Sequence, residues 1–355
     1  STQSRSSAAS DVYKRQMRIK AKGIAKELGL SEATVSLALN DRPGVNENTK
    51  KRILECVREK QEKLQENFEI QKKIVHGKVM MLNYIKNGII MKRSQEQNPI
   101  IEKIRETVKR EGDTFEYRLF QEQFEEIGNL ISECREKDVK GIYIMAAEMG
   151  KSDIYPFLEL QIPIVTGDNL FYEEGINSFL IDNREGIRRG VDYLVDKGHS
   201  RIVYLAEDID IFNFLERREA FVLEMAKREC GDVSNRIRHL GSNVEEVAFS
   251  MGKYLDEGMR GVTALILESS VISMGVIKAL LERNVRIPKD ISLIGFDAVA
   301  PVELPGFELT LIKGTHTKRH LAAVKHLMQY MKDENEEIMR VYYSCLLYTS
   351  PSPRD

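Results

Sequence analysis

The chain has 355 residues, with 53 basic and 55 acidic side chains and a net charge of −2. Hydrophobic residues make up 42% and charged residues 30%, which excludes a collagenous or largely disordered chain, and the length leaves room for two to three domains with a sizeable core. No apolar run reaches the roughly 18 residues that a membrane-crossing helix needs, and the leading residues hold no apolar stretch of secretory-signal type.

Both ends differ from the rest. Asp11–Gln16 admits a codon choice whose reverse complement, in another frame, encodes Cys-Leu-Leu-Tyr-Thr, the residues found at 345–349. Two tails related by DNA complementarity point to an inverted repeat flanking a coding insert, and they resemble translated transposon adapters; native disordered tails are the alternative. On the adapter reading, residues 1–16 and 345–355 lie outside the fold and Met17–Ser344 carries it, with the natural C-terminus cut off. The cysteines left in that span, Cys56, Cys134 and Cys230, are scattered with no C-x-x-C pair. A reducing, cytoplasmic location is therefore expected.

Charge is unevenly spread. Residues 17–60 hold ten Lys/Arg against six acids, a net of +4, while residues 61–344 hold 39 basic against 47 acidic residues, a net of −8. A small basic head on an acidic body suggests a polyanion reader joined to a regulatory or catalytic module, although a basic helix face is often merely solvated.

In the head, Ala21, Ile24, Ala25 and Leu28 have the i, i+3, i+4, i+7 spacing of an amphipathic helix. Gly29 supplies a helix-ending residue and Ser31 an N-cap. A second helix, Glu32–Leu39, is expected to bury Val35 and Leu39, with Glu32, Ala33, Ser36 and Leu37 on the opposite face. Asn40–Gly44 is a turn cluster, and Asn46 caps a third helix carrying Thr49, Ile53, Leu54 and Val57. Two short helices joined by a Gly-containing turn in a basic segment make a helix-turn-helix DNA reader, whose second helix enters the major groove. On pattern alone, an ordinary three-helix capping domain remains the alternative.

The string IAKELGLSEATVSLALNDRPGVNENTKKRIL resembles the head of the lac repressor family (LacI/GalR-type regulators). Ile24-Ala25, Gly29, Ser31, Thr34-Val35-Ser36, Leu39-Asn40, Val45, Thr49 and Arg52-Ile53 stand in register with that family's pattern. The resemblance implies that Ser31, Thr34, Ser36, Asn40 and Asn46 occupy hydroxyl or amide positions at the DNA. Lys20, Arg42 and Lys50 are phosphate neighbours on charge alone. Glu32 and Ala33, with Leu37, would read bases: Glu32 by accepting from a cytosine amino group, Ala33 or Leu37 by touching a thymine methyl.

The linker departs from the family. Between Glu62 and Lys73 there is neither Tyr-x-Pro nor an Ala-Arg-x-Leu hinge signature. Phe68 or Ile70 would serve as an apolar minor-groove wedge, or the segment is a charged helical linker without DNA contact.

From Lys78 onward strand-like runs alternate with amphipathic helices. The strands are expected at Val79–Ile85, Thr114–Phe120, Gly141–Ala147, Ile162–Thr166, Phe179–Ile181, Arg201–Ala206, Arg236–Leu240, Val262–Leu267 and Ile291–Phe296. Helices fit at Ile100–Arg110, Phe124–Lys137, Arg184–Lys197 and Met274–Arg283. Such alternation predicts parallel sheets flanked by helices, and this length favours two Rossmann-like lobes. The expected class is α/β: an all-α head at 17–63, a linker at 64–77 and a bilobed domain at 78–344.

The family resemblance continues here through Asp182-Asn183-x-x-Gly186, Gly198-His199-x-x-Ile202 and Arg217-x-x-Ala220-Phe221, and most fully through Val285 to Asp297. It implies a bilobed sugar-binding-protein fold, dimerised side by side, with Arg217 and Asp297 on positions that hold a small effector; a structural salt bridge is the other reading of that pair. Relatives have N-D-x-x-A-x-G where this chain has Ser269-Ser270-Val271-Ile272-Ser273-Met274-Gly275. The lost Asp implies a different ligand or a weaker dependence on one. Asn83, Tyr84 and Glu148 are polar candidates at first-lobe strand ends.

No P-loop, dinucleotide-binding, nucleophile-elbow or zincin string occurs, and no cofactor, metal or enzymatic activity is expected. His316 and His320, one helical turn apart with His326 nearby, fit a solvated face better than a metal site. The sequence thus points to a cytoplasmic homodimeric transcription regulator, most simply a repressor, binding a double-stranded pseudo-palindromic operator and modulated by a small, sugar-like effector. A constitutive regulator with a vestigial cleft, or a soluble solute-binding protein, are the rival readings.

Overall fold

The computed structural model describes residues 21–40, 42–72, 77–88, 99–228, 233, 235–297, 309–332 and 337–349. The chain forms two compact units, Ser1–Val75 and His76–Asp355.

The first unit contains α1 (Ala21–Leu28), α2 (Glu32–Leu39) and α3 (Glu47–Lys72). Gly29, at φ +66°, makes the turn after α1, a left-handed conformation that glycine adopts without steric cost. The Ser31 hydroxyl then accepts from the Thr34 amide at 3.1 Å and starts α2. Ile24, Ala25, Val35, Ala38, Ile53 and Cys56 form the core, with Leu28, Leu30, Val45 and Val57 packed against it. Ala38 rather than Leu39 accompanies Val35 inward, and Leu39 is 38% exposed. The three-residue step from Val35 keeps Ala38 on the buried stripe, whereas a four-residue step carries Leu39 off its edge. Lys60 on α3 pairs with Glu27 on α1 at 2.5 Å. The linker segment 64–72 is helical, continuing α3 without a break to Lys72.

The second unit has two lobes, each a six-stranded sheet. In chain order it runs β1 (Lys78–Ile85), α4 (Pro99–Arg110), β2 (Thr114–Gln121), α5 (Ile127–Glu136), β3 (Val139–Met145), α6 (Tyr155–Leu158), β4 (Ile164–Gly167), β5 (Asn177–Ile181) and α7 (Asn183–Asp196). There follow β6 (Ile202–Ala206), α8 (Phe212–Lys227), β7 (Ile237–His239), α9 (Val244–Asp256), β8 (Ala264–Leu267), α10 (Ser270–Glu282), β9 (Ser292–Phe296), β10 (Thr310–Gly314), α11 (His316–Tyr330), β11 (Arg340–Tyr343) and β12 (Cys345–Tyr348). The first sheet has the order β11-β5-β4-β3-β1-β2 and the second β12-β10-β9-β8-β6-β7. Every pairing is parallel except β10 with β12.

The chain crosses between lobes three times, at Asp182, Thr315 and Ser344, because α7 packs on the second lobe's core while α11 and β11 pack on the first. Nine strands lie within a few residues of the expected positions. The expected helix at Phe124–Lys137 starts only at Ile127, and Phe124 sits in the preceding turn, 80% exposed. Strands β10, β11 and β12 lack a strong apolar alternation of their own and are specified by the sheet edges they join.

Cys345–Tyr348, which the adapter reading sets outside the fold, form β12 at the edge of the second sheet. Leu346 and Leu347 pair with Lys313 and Ile312, and Cys345 is fully buried in the second lobe's core. The fit is close: a Cβ added to Gly186 on α7 would stand 3.1 Å from Cys345 Cβ and 2.9 Å from Ile312 Cγ2. A chain ending at Ser344 is expected to melt roughly 5–10 °C lower, since each lost kcal/mol moves a domain of this size by about 2–4 °C. Coincident calorimetric melts of the two chains would show that β12 contributes nothing to the fold.

Candidate DNA-contact face and inter-lobe cleft

In the first unit, packing Val35 and Ala38 inward leaves Glu32, Ala33 and Ser36 exposed on the other side of α2, with Leu37 half-buried beside the turn at Gly44. Several of the expected DNA contacts also serve the helices themselves. The Ser31 and Thr34 hydroxyls are 2.8 Å apart, Asn40 Nδ2 donates to the Ser36 carbonyl at 2.8 Å, and Asn46 Oδ1 accepts from the Asn48 amide at 2.8 Å. Arg42 is exposed and Lys50 half-buried. Lys20 and the side chains of Phe68 and Ile70 lie outside the described residues.

In the second unit a cavity of about 700 Å³ opens between the lobes. Its first-lobe wall consists of loops following β1, β3 and β4; its second-lobe wall is the segment 208–215 after β6. Ligands of parallel α/β sheets lie at this carboxyl edge of the strands. Glu148 fixes one wall, its Oε2 accepting from the amides of Lys86, Asn87 and Gly88 at 2.9, 2.9 and 3.0 Å. Asn169 fixes the next, donating to the carbonyls of Met149 at 2.7 Å and Ala146 at 3.2 Å.

The opposite wall hangs on Arg218. Its Nε donates to Glu268 Oε1 at 2.7 Å and its Nη2 to Glu268 Oε2 at 2.9 Å; Nη2 also reaches the carbonyls of Glu207 and Ile209, and Nη1 reaches Asp210 Oδ1, each at 2.8 Å. Sequence reasoning missed Arg218 and Glu268, because neither stands at a motif position and only the fold brings the end of β8 against α8.

Of the residues expected at an effector, Glu148 alone lines this cavity. Tyr84 is 1% exposed and packs on Phe120 at 5.0 Å between ring centroids, and Asn83 is fully buried with its Nδ2 3.4 Å from the Tyr117 hydroxyl. Both belong to the first lobe's interior, since β1 is buried on both faces. Ser269 caps α10 through the Ile272 amide at 3.2 Å and donates to Glu207 Oε1, while Ser270 opens that helix. Arg217 is 3% exposed: Nε donates to Asn183 Oδ1 at 2.9 Å, Nη1 to the Glu268 carbonyl at 2.7 Å, and Nη2 lies 3.5 Å from Asp297. Its guanidinium also lies 3.5 Å over the Phe296 ring. Arg217 and Asp297 therefore do come together, as a largely internal pair outside the cavity wall.

A family profile for the periplasmic binding protein-like domain matches residues 191–348. Over most of its length the chain is similar to helix-turn-helix transcription regulators. It is 21% identical over 324 residues to the regulator MalR of Clostridium butyricum, covering 89% of this chain and 93% of that protein. It is 23% identical over 326 residues to the probable repressor ExuR of Bacillus subtilis, covering 90% and 94%. Among solved structures, the regulator CelR in complex with cellobiose superposes with a TM-score of 0.65 at 18% identity, covering 94% of this chain and 99% of that one. The lac repressor dimer bound to operator and an anti-inducer superposes at 0.63 with 17% identity, covering 92% and 96%.

The chain shares the fold of these solved regulators.

Its lobes meet over a buried ionic network. Asp168, after β4, and Asp297, after β9, both take left-handed backbone angles, φ 67° and 65°. Arg319 on α11 is 1% exposed; it donates to Asp168 Oδ2 at 2.8 Å and to the Phe179 carbonyl at 3.0 Å. His320 is buried 2.7 Å from the Tyr143 hydroxyl, and His316 lies 3.2 Å from Asp297. His326 packs against Phe179, with ring centroids 5.4 Å apart. The expected solvated histidine face is thus packed at His320, because α11 lies on the first lobe, while the His316 side chain stays 41% exposed. Among the described residues no group of three His, Cys, Asp or Glu converges to hold a metal.

Burial pushes the Asp168 carboxyl up, but the Arg319 guanidinium and the neighbouring histidines more than offset this and hold it below the usual carboxylate range. Burial and the Arg319 charge drive His320 well below its ordinary value, so it is neutral near pH 7. Arg319→Met should leave Asp168 an uncompensated buried charge and cost about 3–5 kcal/mol by urea unfolding. Pairing it with Asp168→Asn should recover much of that loss, and equal stabilities of the single and double variants would contradict the pairing.

Glu207 behaves oppositely. It is 1% exposed, and its Oε2 has no hydrogen-bond partner among the described residues. Burial and the neighbouring Glu268 charge, only partly opposed by the Ser269 hydroxyl and the two arginines, push it up to about 7. Its folded value therefore exceeds the unfolded one, and the unfolded chain releases this proton first as pH rises. Stability should fall between about pH 4.5 and 7 and level off above, by at most on the order of 3 kcal/mol. Glu207→Gln should flatten that part of the profile in unfolding midpoints taken from pH 5 to 8; an unchanged slope would place the titration elsewhere.

Proposed function

We propose that this protein is a transcription regulator that represses as a homodimer on a pseudo-palindromic operator, and that a small ligand in the inter-lobe cleft changes its affinity for DNA. The observation that carries the DNA half is α2: a Ser-capped helix whose buried stripe leaves Glu32, Ala33 and Ser36 exposed on one face of a basic unit. Such a helix presents base-reading groups to the major groove. Ser31, Thr34, Asn40, Asn46, Arg42 and Lys50 would serve the phosphates, which fix register without reading sequence. The cleft half rests on the cavity at the strand ends, with loops from both lobes for walls. Coupling between two such sites requires the ligand to favour one arrangement of the lobes over another.

One observation favours a second reading, a regulator that binds DNA constitutively. Arg217 and Asp297 engage each other and their neighbours within the structure, so the effector positions implied by the resemblance are satisfied internally.

Binding-site selection with the full chain should return an inverted repeat with half-sites about one helical turn apart. Glu32→Gln and Leu37→Arg should each change the preferred base at one position per half-site, with about 1–3 kcal/mol of discrimination. Arg42→Ala should instead weaken all sequences alike and reduce the salt dependence. A chain that prefers no sequence over bulk DNA at physiological salt overturns the proposal.

A further inference from the structure

The same cleft carries information about the charge of its ligand, on the reading that a ligand binds there. Among the described residues, five carboxylates line it against two lysines, and both lysines are already matched. Lys86 Nζ is bonded to Asp153 at 2.7 Å and Lys151 Nζ to Glu173. The acids are less fully matched. Glu174 meets the Tyr155 hydroxyl at 3.1 Å through Oε1, while its buried Oε2 has no hydrogen-bond partner among the described residues. On the facing wall the side chain of Asp208 remains 56% exposed beside His239, and that of Asp210, held by Arg218, 75% exposed. The cavity also offers apolar surface from Phe212 and Leu215.

We propose that the cleft takes a ligand bearing a protonated amine on a ring with an apolar face, an amino sugar being the chemical class that meets both demands, and that it turns away rings carrying a carboxylate or phosphate. An ammonium group supplies three donors and no acceptor, which suits unmatched carboxylate oxygens. The C–H face of a pyranose covers aromatic and aliphatic side chains, as ligand pockets with mostly apolar walls require. An anion would meet these acids with no uncommitted lysine among the described lining residues, in a cleft whose single sign of charge focuses the repulsion.

The test uses the full chain in thermal-shift and calorimetric titrations at pH 6.5 and constant ionic strength. The probes are glucosamine, glucose, glucuronate and glucose 6-phosphate, the galactose counterparts, and ammonium chloride as a bare cation. The amine-bearing sugars should raise the melting temperature and bind at least about tenfold more tightly than their neutral counterparts, with no response to the acidic ones. Glu174→Gln combined with Asp208→Asn should erase that preference while leaving the ligand-free melting temperature within a degree or so of the parent. Equal binding of amine and neutral sugars overturns the inference, as does a preference for the acidic sugars, an equal shift with ammonium chloride, or an amine preference that survives the double substitution. A cleft that answers to no sugar of any charge overturns the effector reading itself.

Discussion

Arg218 is the residue on which the second lobe's half of the cleft depends. Its guanidinium gathers a buried carboxylate from the end of β8, an exposed one from the loop after β6, and two backbone carbonyls of that loop. A planar fork of five donors can do this where a lysine could not. Without it, Glu268, fully buried, would carry an uncompensated charge, and the segment 208–211 would lose the bonds that hold it as a wall. The geometry of the site thus rests on a residue beside it rather than within it.

The same principle recurs at the other strand ends. Asp168, Glu207, Glu268 and Asp297 each follow a central strand of one of the sheets, where parallel strands aim their carboxyl ends at the cleft. Acids there are desolvated and need cations, and Arg217, Arg218 and Arg319 supply them from α8 and α11. Three arginines for four carboxylates leaves one acid over: Glu207, pushed up to about 7 by burial and met by the Ser269 hydroxyl in place of a cation. Because α11 emerges from the second sheet and packs on the first, its residues Arg319 and His316 connect the end of β4 in one lobe with the end of β9 in the other. The lobes are joined by charge as well as by three crossings of the chain.

Much of this architecture was legible in the sequence. The alternation of apolar runs and amphipathic helices specified nine of the twelve strands, and the Ser31 cap, Gly29 turn and Val35 stripe specified the head. What escaped had physical causes. Leu39 is apolar by composition but lies one step off the buried stripe, so hydrophobicity without phase misplaced it. β12 is short and pairs antiparallel at a sheet edge, a partner set by tertiary contacts and invisible to local periodicity. At the cleft, family position identified Arg217 and Asp297, and the two do meet; position could not show that Asn183, Glu268 and Phe296 absorb the arginine. Nor could it show that Arg218, the next residue, faces the loop wall, since adjacent helical residues point about 100° apart.

The near-zero net charge conceals this organisation. Basic residues outnumber acids in the segment that carries α2, whereas the larger body holds a surplus of eight negative charges. A basic reader gains from the polyanionic backbone of DNA through counterion release, a term indifferent to sequence. An acidic body gains nothing from that backbone and is repelled by it, which confines the attraction to the head. The surplus acids of the body are also what its cleft presents. One excess of negative charge would therefore perform two tasks: it restricts where nucleic acid can dock and, on the proposed reading of the cleft, favours a ligand of opposite sign.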